Sequence, residues 1–227
     1  MAYFSDQHVL QASESVKAAT EQFDNLFNLL AKEIYHEAST LASSTEVMTT
    51  VYEHIQQAED AFKSHFNEHQ NVACGKGCSH CCHFPIQLMP QDLESFVTAL
   101  KEKQSTEQLN DTLDALRHQQ SLRQPPFFRA PCAFLDENNS CTVYENRPLA
   151  CRMFSSENAN ACKQSLQDGS AISQSTIRYR IFQAATCSLQ VLNQQQNRPD
   201  TQIDFTLGLI SVLEELLNAD TEDIKPD

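Results

Sequence analysis

Four cysteines, Cys74, Cys78, Cys81 and Cys82, fall within the nine residues CGKGCSHCC, and two of the four glycines in the chain, Gly75 and Gly77, lie between them. Glycine this scarce suits helices, so its concentration here marks one segment of special backbone. Three more cysteines follow at Cys132, Cys141 and Cys151. Thiols crowded in this way, in a chain whose first residues read as no secretion signal, point to metal ligation rather than to a disulfide scaffold. The total of nine is odd, which argues further against a fully paired set. Cys162 and Cys187 fall outside the pattern, and Cys187, in an apolar helical stretch, reads as a small buried side chain.

Outside the cysteine segments the apolar residues recur at helical spacing. Phe23, Phe27, Leu30, Ile34, Ala38 and Leu41 form one stripe, and Val47, Val51, Ile55, Ala58, Phe62 and Phe66 a second. Ser43 or Ser44 is placed to cap the second helix, and the two read as a helical hairpin leading into the cysteine loop. Each stripe is narrow and needs a partner from the core or from another subunit. Pro90 opens a further helix with Leu93, Phe96, Val97 and Leu100 on one face, and Leu109, Leu113 and Leu116 mark the next. The prolines of QPPFFRAP (124–131) impose an extended turn that delivers Cys132. The turn signal DENNS (136–140) predicts a short β-hairpin over 132–144 as the only sheet. Two helices, about 171–193 and 201–218, close the chain, with Thr201 as the expected cap of the second.

The fold class is therefore all-α: a helical bundle around an irregular cysteine-rich metal-binding module, with at most one short β-hairpin. The organisation expected is an acidic helical hairpin over 1–71, a cysteine-cluster core over 72–199, and a C-terminal helix with an acidic tail over 200–227, joined in one compact unit. Charge follows these divisions. Residues 1–71 carry eleven acids against three bases (−8), 72–199 eleven against twelve (+1), and 200–227 eight against one (−7). An acidic surface repels phosphate backbones and anionic lipid, so neither nucleic acid nor a membrane surface is an expected partner. No run approaches the roughly 18 apolar residues of a membrane span. The N-terminus has neither a basic nor an apolar signal region, which makes a cytoplasmic location the expectation. The acidic N-terminal helices leave open a protein partner or a homo-oligomer.

Soft thiolates select zinc, copper(I) or iron–sulfur clusters. Gly75 and Gly77 give the backbone between Cys74 and Cys78 freedom to wrap one centre. Adjacent side chains at Cys81 and Cys82 are expected to diverge, so either one ligates, or they serve different metals, or one bridges. Seven cysteines exceed the four that one zinc or one simple cluster takes. Lys76, Arg129, Arg147 and Arg152 are near enough in sequence to offset thiolate charge. His80 and His83 flank the cysteine pair, either in a mixed Cys/His site or, more simply, outside the ligand set. His65 and His69 share a helix face at metal-site spacing, but among polar neighbours that favour a solvated surface. Tyr144 and Phe154 read as packing around the metal. Cys74-x3-Cys78-x2-Cys81 also has the spacing of the radical S-adenosylmethionine loop, but the near-absence of strand pattern speaks against the barrel which that chemistry needs. No catalytic triad, phosphate loop or dinucleotide fingerprint is present.

CGKGCSHCC followed by PCAFLDENNSCTVYENRPLACRMF closely resembles the YkgJ-type CxxCxxCC family of zinc- or iron-chelating domains over residues 74 to about 154. The resemblance implies metal ligation by Cys74, Cys78, Cys81, Cys82, Cys132, Cys141 and Cys151, with the family's arginines at Arg147 and Arg152. The family includes flagellin lysine N-methylases, which look like iron–sulfur proteins. This chain differs in having His80 where a small residue is usual, and in its long acidic helical N-terminal region.

The function expected is binding of zinc or an iron–sulfur cluster by this cysteine set, with Arg147 and Arg152 beside the cofactor. The alternative class is an iron- or iron–sulfur-dependent enzyme, performing redox or group-transfer chemistry such as protein methylation at the same site.

Overall fold

The computed structural model describes residues 5–65, 72–75 and 77–222, with side chains as far as residue 219. Phe66, His69, Lys76 and the acidic tail beyond 222 lie outside the described residues. The described chain forms eight α-helices: α1 (Asp6–Ala38), α2 (Ser44–His65), α3 (Pro90–Lys103), α4 (Thr106–Leu122), α5 (Leu149–Met153), α6 (Ala159–Asp168), α7 (Thr176–Gln195) and α8 (Phe205–Glu222). The all-α expectation holds. Helices α5 and α6, of five and ten residues, are too short to declare themselves by periodicity.

The helix starts follow local chemistry. Glu46 N–H donates to Ser43 Oγ (3.2 Å) and Ser43 N–H donates to Glu46 Oε2 (3.1 Å), a capping box that makes Ser43 the cap of α2. Ser105 and Gln108 do the same for α4. The expected cap at Thr201 is replaced by Asp204, whose Oδ1 accepts from Leu207 N–H at 3.0 Å. The reason is that 203–204 is drawn into a strand. β1 (Gln87–Leu88) pairs antiparallel with β2 (Ile203–Asp204), Leu88 opposite Ile203, and Arg123 holds Asp204 at 3.0 Å.

The hairpin expected at 132–144 shrinks to a single bridge between Leu135 and Cys141. Asp136 Oδ1 accepts from the N–H groups of Asn138 and Ser140 (2.8 Å each), and Asn139 takes a left-handed φ of 58°. That curl is too tight to let ladders extend on either side. The sheet forms between distant segments instead.

Two apolar clusters make up the core. Phe27, Ile34, Met48, Val51, Ile181 and Leu189 join α1, α2 and α7, so the narrow stripes of the first two helices find their partner in α7. Leu93, Phe96, Leu116, Leu209 and Leu213 join α3, α4 and α8. A buried amide pair links them: Asn193 Nδ2 on α7 donates to Gln91 Oε1 on α3 (3.1 Å), and Gln91 Nε2 donates back. Cys187 corrects the sequence reading, for it is exposed. On α7 the buried set runs Ile181, Ala184, Ala185, Ser188, Leu189, Leu192, and position 187 falls on the opposite face.

Candidate metal centre

Three segments deliver the cysteines. In the first, Cys78 N–H donates to Gly75 O (3.0 Å) around Gly77, whose φ of +84° requires glycine. Gly75 shows no such φ, so only one of the two glycines is a conformational necessity. The chain then makes a 3-10 turn over His80–His83, closed by Cys82 N–H donating to Ser79 O (2.9 Å). In the second segment Ala130 N–H donates to His83 O (3.2 Å) and Cys132 N–H to Cys82 O (2.9 Å). The proline-bent chain is thereby laid against the turn, and the bridge at Leu135 returns Cys141 to the same side. The third segment is α5, which carries Cys151.

These segments enclose a cavity of about 50 Å³ lined by Cys81, Cys82, Cys132, Cys141 and Cys151. Its apolar wall is Phe134 and Phe205, and Arg123 and Arg147 complete its rim. Organic ligands occupy pockets of roughly 300–1,000 Å³, so this volume suits an ion or a few atoms. Cys81 and Cys82 do not diverge as expected: the 3-10 turn keeps both on the cavity, where each thiol is close enough to influence the other's ionisation. Cys74 and Cys78 are absent from this cavity's lining and lie within electrostatic reach of Cys162, a buried cysteine of α6 that Cys81 also reaches. His80 and His83 are absent from the cavity lining, and His83 Nδ1–H donates to Ser79 O at 3.1 Å.

Charge ties the cavity thiols together. The hydrogen bond to Cys82 and then burial push the Cys81 thiol far up; burial pushes up Cys132, Cys141 and Cys151. Each of Cys81, Cys132, Cys141 and Cys151 lies within electrostatic reach of the other three, so charge on one opposes charge on the rest. Arg147 counters this at Cys81 and Cys141, and Arg123 at Cys132. Among the described residues no three His, Cys, Asp or Glu side chains are already drawn together in coordinating positions. Neutral thiols have no reason to draw closer than van der Waals contact, whereas a divalent cation both deprotonates and gathers them.

The two sequence-predicted arginines part company. Arg147 borders the cavity, with its guanidinium 3.8 Å from the Tyr144 ring centroid and Nε donating to Tyr144 O (3.2 Å). Arg152 borders a different cavity beside Tyr52 and Asp92, stacks on Tyr52 at 4.3 Å and donates from Nε to Arg147 O (2.7 Å). Tyr144 is exposed rather than packed, while Phe154 meets Phe84 edge-on at 6.0 Å.

Sequence reasoning missed four residues. Arg123 lay in a polar run that gave no sign of burial. Cys162 was set aside, although its i, i+3 relation to the buried Ser165 put it on the inner face of α6. Tyr52 and Asp92 act together: fully buried Asp92 accepts from Tyr52 Oη and from Leu149 N–H, both at 2.9 Å. The second bond caps α5 and so sets the helix that carries Cys151.

Burial raises the Asp92 carboxyl to about 6 from an ordinary 3.8, against the pull of Leu149 N–H, Tyr52 Oη and Arg152. Between those values the folded state binds more protons than the unfolded one, so a stabilisation fully present below pH 3.8 is lost progressively as pH rises to about 6 and stays lost above it. The fall is about 3 kcal/mol, two pKa units at 1.36 kcal/mol each. The stability difference between wild type and Asp92→Asn, from denaturant unfolding at about pH 3 to 7, is expected to shift by that amount. A difference independent of pH would contradict the assignment.

Residues 73–176 match the CxxCxxCC family model, described as "Putative zinc- or iron-chelating domain". The resemblance read from the sequence holds over this stretch, a little under half of the chain. The CxxCxxCC match takes in all three cysteine-bearing segments and also α6 with Cys162, beyond the limit near 154 expected from sequence. No curated protein and no solved structure matched the chain. No described helix is long and apolar enough to cross a membrane.

Proposed function

We propose that the protein chelates a metal through Cys81, Cys132, Cys141 and Cys151, with Cys82 as an adjacent fifth thiol and Cys74, Cys78 and Cys162 as a separate group. The mutual electrostatic coupling of those four thiols around one small cavity carries this reading. The donor set fits the group: soft, half-buried sulfurs suit zinc or iron, and no carboxylate lines the cavity among the described residues to favour a hard cation. Bound there, the metal supplies cross-linking of three chain segments and neutralisation of their thiolate charge. Arg123 and Arg147 offset the net negative charge that four thiolates leave around a divalent ion. Asp92 orients α5 so that Cys151 faces the cavity.

Metal analysis with an absorption spectrum on anaerobically purified protein tests this. About one equivalent of zinc in colourless protein identifies a zinc centre, and a brown protein absorbing near about 400 nm identifies an iron–sulfur centre. Protein that retains no metal and takes up none would contradict the proposal. Loading stripped protein with Zn²⁺ is expected to release about four protons, one for each neutral thiol that becomes a ligand.

A further inference from the structure

A second cavity of about 400 Å³ adjoins the smaller one and shares Cys81, Cys82 and Cys151 with it. Its size is that of a ligand pocket. Phe84, Ile86, Met153, Phe154, Tyr179 and Phe182 give it a largely apolar wall. Among the described residues the one cationic side chain in its lining is Arg129.

Arg129 lacks the partner such a group normally has. Its guanidinium stacks on Phe84 at 3.9 Å from the ring centroid, and Nη2 makes a long hydrogen bond of 3.4 Å to Ser165 Oγ. Nε is shielded from solvent with no hydrogen-bond acceptor, and among the described residues Arg129 forms no ion pair. Burial alone lowers its pKa, with no carboxylate raising it. A half-open, largely apolar pocket edged by one partly buried, under-satisfied guanidinium favours an incoming anion, and the planar N–H fork matches a carboxylate. Among the described residues no Asp or Glu lines the cavity, so the lining supplies no internal anion for Arg129.

We propose that this pocket binds a small organic carboxylate with an apolar body, its carboxylate on Arg129 and its body against the aromatic wall beside the cysteine turn. The inference rests on the cavity and on Arg129, so it stands or falls separately from the metal. The test is isothermal titration of the purified full chain with octanoate and, separately, 1-octanol. Octanoate is expected to bind about tenfold or more tighter than octanol, the margin of a charge-assisted hydrogen bond. Arg129→Gln is expected to remove that margin while metal content and melting temperature stay at wild-type values, and Arg129→Lys to retain part of it. Equal affinity for the acid and the alcohol, no binding of octanoate, or unchanged octanoate binding by Arg129→Gln would overturn the proposal. Loss of metal in Arg129→Gln would overturn it too, by placing the arginine at the metal centre instead.

Discussion

Serine at Cys81 or Cys151 is expected to strip the protein of its metal and to lower its melting temperature by more than about 10 °C. The size of the effect follows from what the metal does: it joins the 3-10 turn, the 130–143 loop and α5, of which the first two are otherwise tied by two backbone hydrogen bonds and α5 is held by Asp92 of α3. Binding free energy at a structural thiolate site is folding free energy, about 10–16 kcal/mol for zinc in small peptides. Loss of even about 5 kcal/mol lowers the midpoint by roughly 10–20 °C at this chain length. Cys132→Ser and Cys141→Ser are expected to behave alike. Cys187→Ser, at an exposed position on α7, is expected to change neither quantity. Cys74→Ser and Cys162→Ser are expected to leave the metal in place, because their electrostatic neighbours lie mainly in the other thiol group. Metal content and thermal unfolding measured on the same samples check the series. A Cys151→Ser protein with full metal content would show that the wrong four thiols were chosen.

Phe205→Ala is expected to be the most damaging change outside the cysteines. Phe205 is 5% exposed, meets Phe96 edge-on at 5.1 Å and lies 6.1 Å from Phe134. It belongs at once to the α3–α4–α8 core and to the wall of the cysteine cavity. Its N–H also donates to Ile86 O (3.0 Å), pinning the start of α8 beside the cysteine turn. Truncating a buried aromatic costs about 3–5 kcal/mol, or roughly 6–20 °C at 2–4 °C per kcal/mol. Phe205→Leu keeps most of the volume and is expected to cost less than half as much. Melting curves on protein stripped of metal and on loaded protein separate the two roles. A loss confined to the loaded state would mean that the residue serves only the metal site.

Spacing alone made the helices legible where they are long. The stripes from Phe23 and Val47, the proline at position 90 and the leucines of α4 and α8 all predicted elements that formed. The same logic failed where structure depends on partners distant in sequence. Nothing near residue 203 announces a strand, because its pairing is with Leu88. Nothing around Asp136 distinguishes a hairpin from a tight curl until its carboxylate is seen holding two N–H groups. At the site, cysteine identity was readable and grouping was not. Adjacent Cys81 and Cys82 look divergent in an extended chain, and only the 3-10 turn turns both to one cavity. Cys162 and Asp92 sit on helices whose inner faces become visible only after packing.

The most direct test of the central claim is X-ray absorption at the edge of the bound metal, recorded on anaerobically purified protein. Four sulfur scatterers, at about 2.3 Å if the metal is zinc, are the expected first shell, reduced in occupancy or number by Cys81→Ser and unchanged by Cys74→Ser. A shell dominated by nitrogen or oxygen, or one that loses sulfur when Cys74 is replaced and keeps it when Cys81 is, would contradict a centre built on Cys81, Cys132, Cys141 and Cys151.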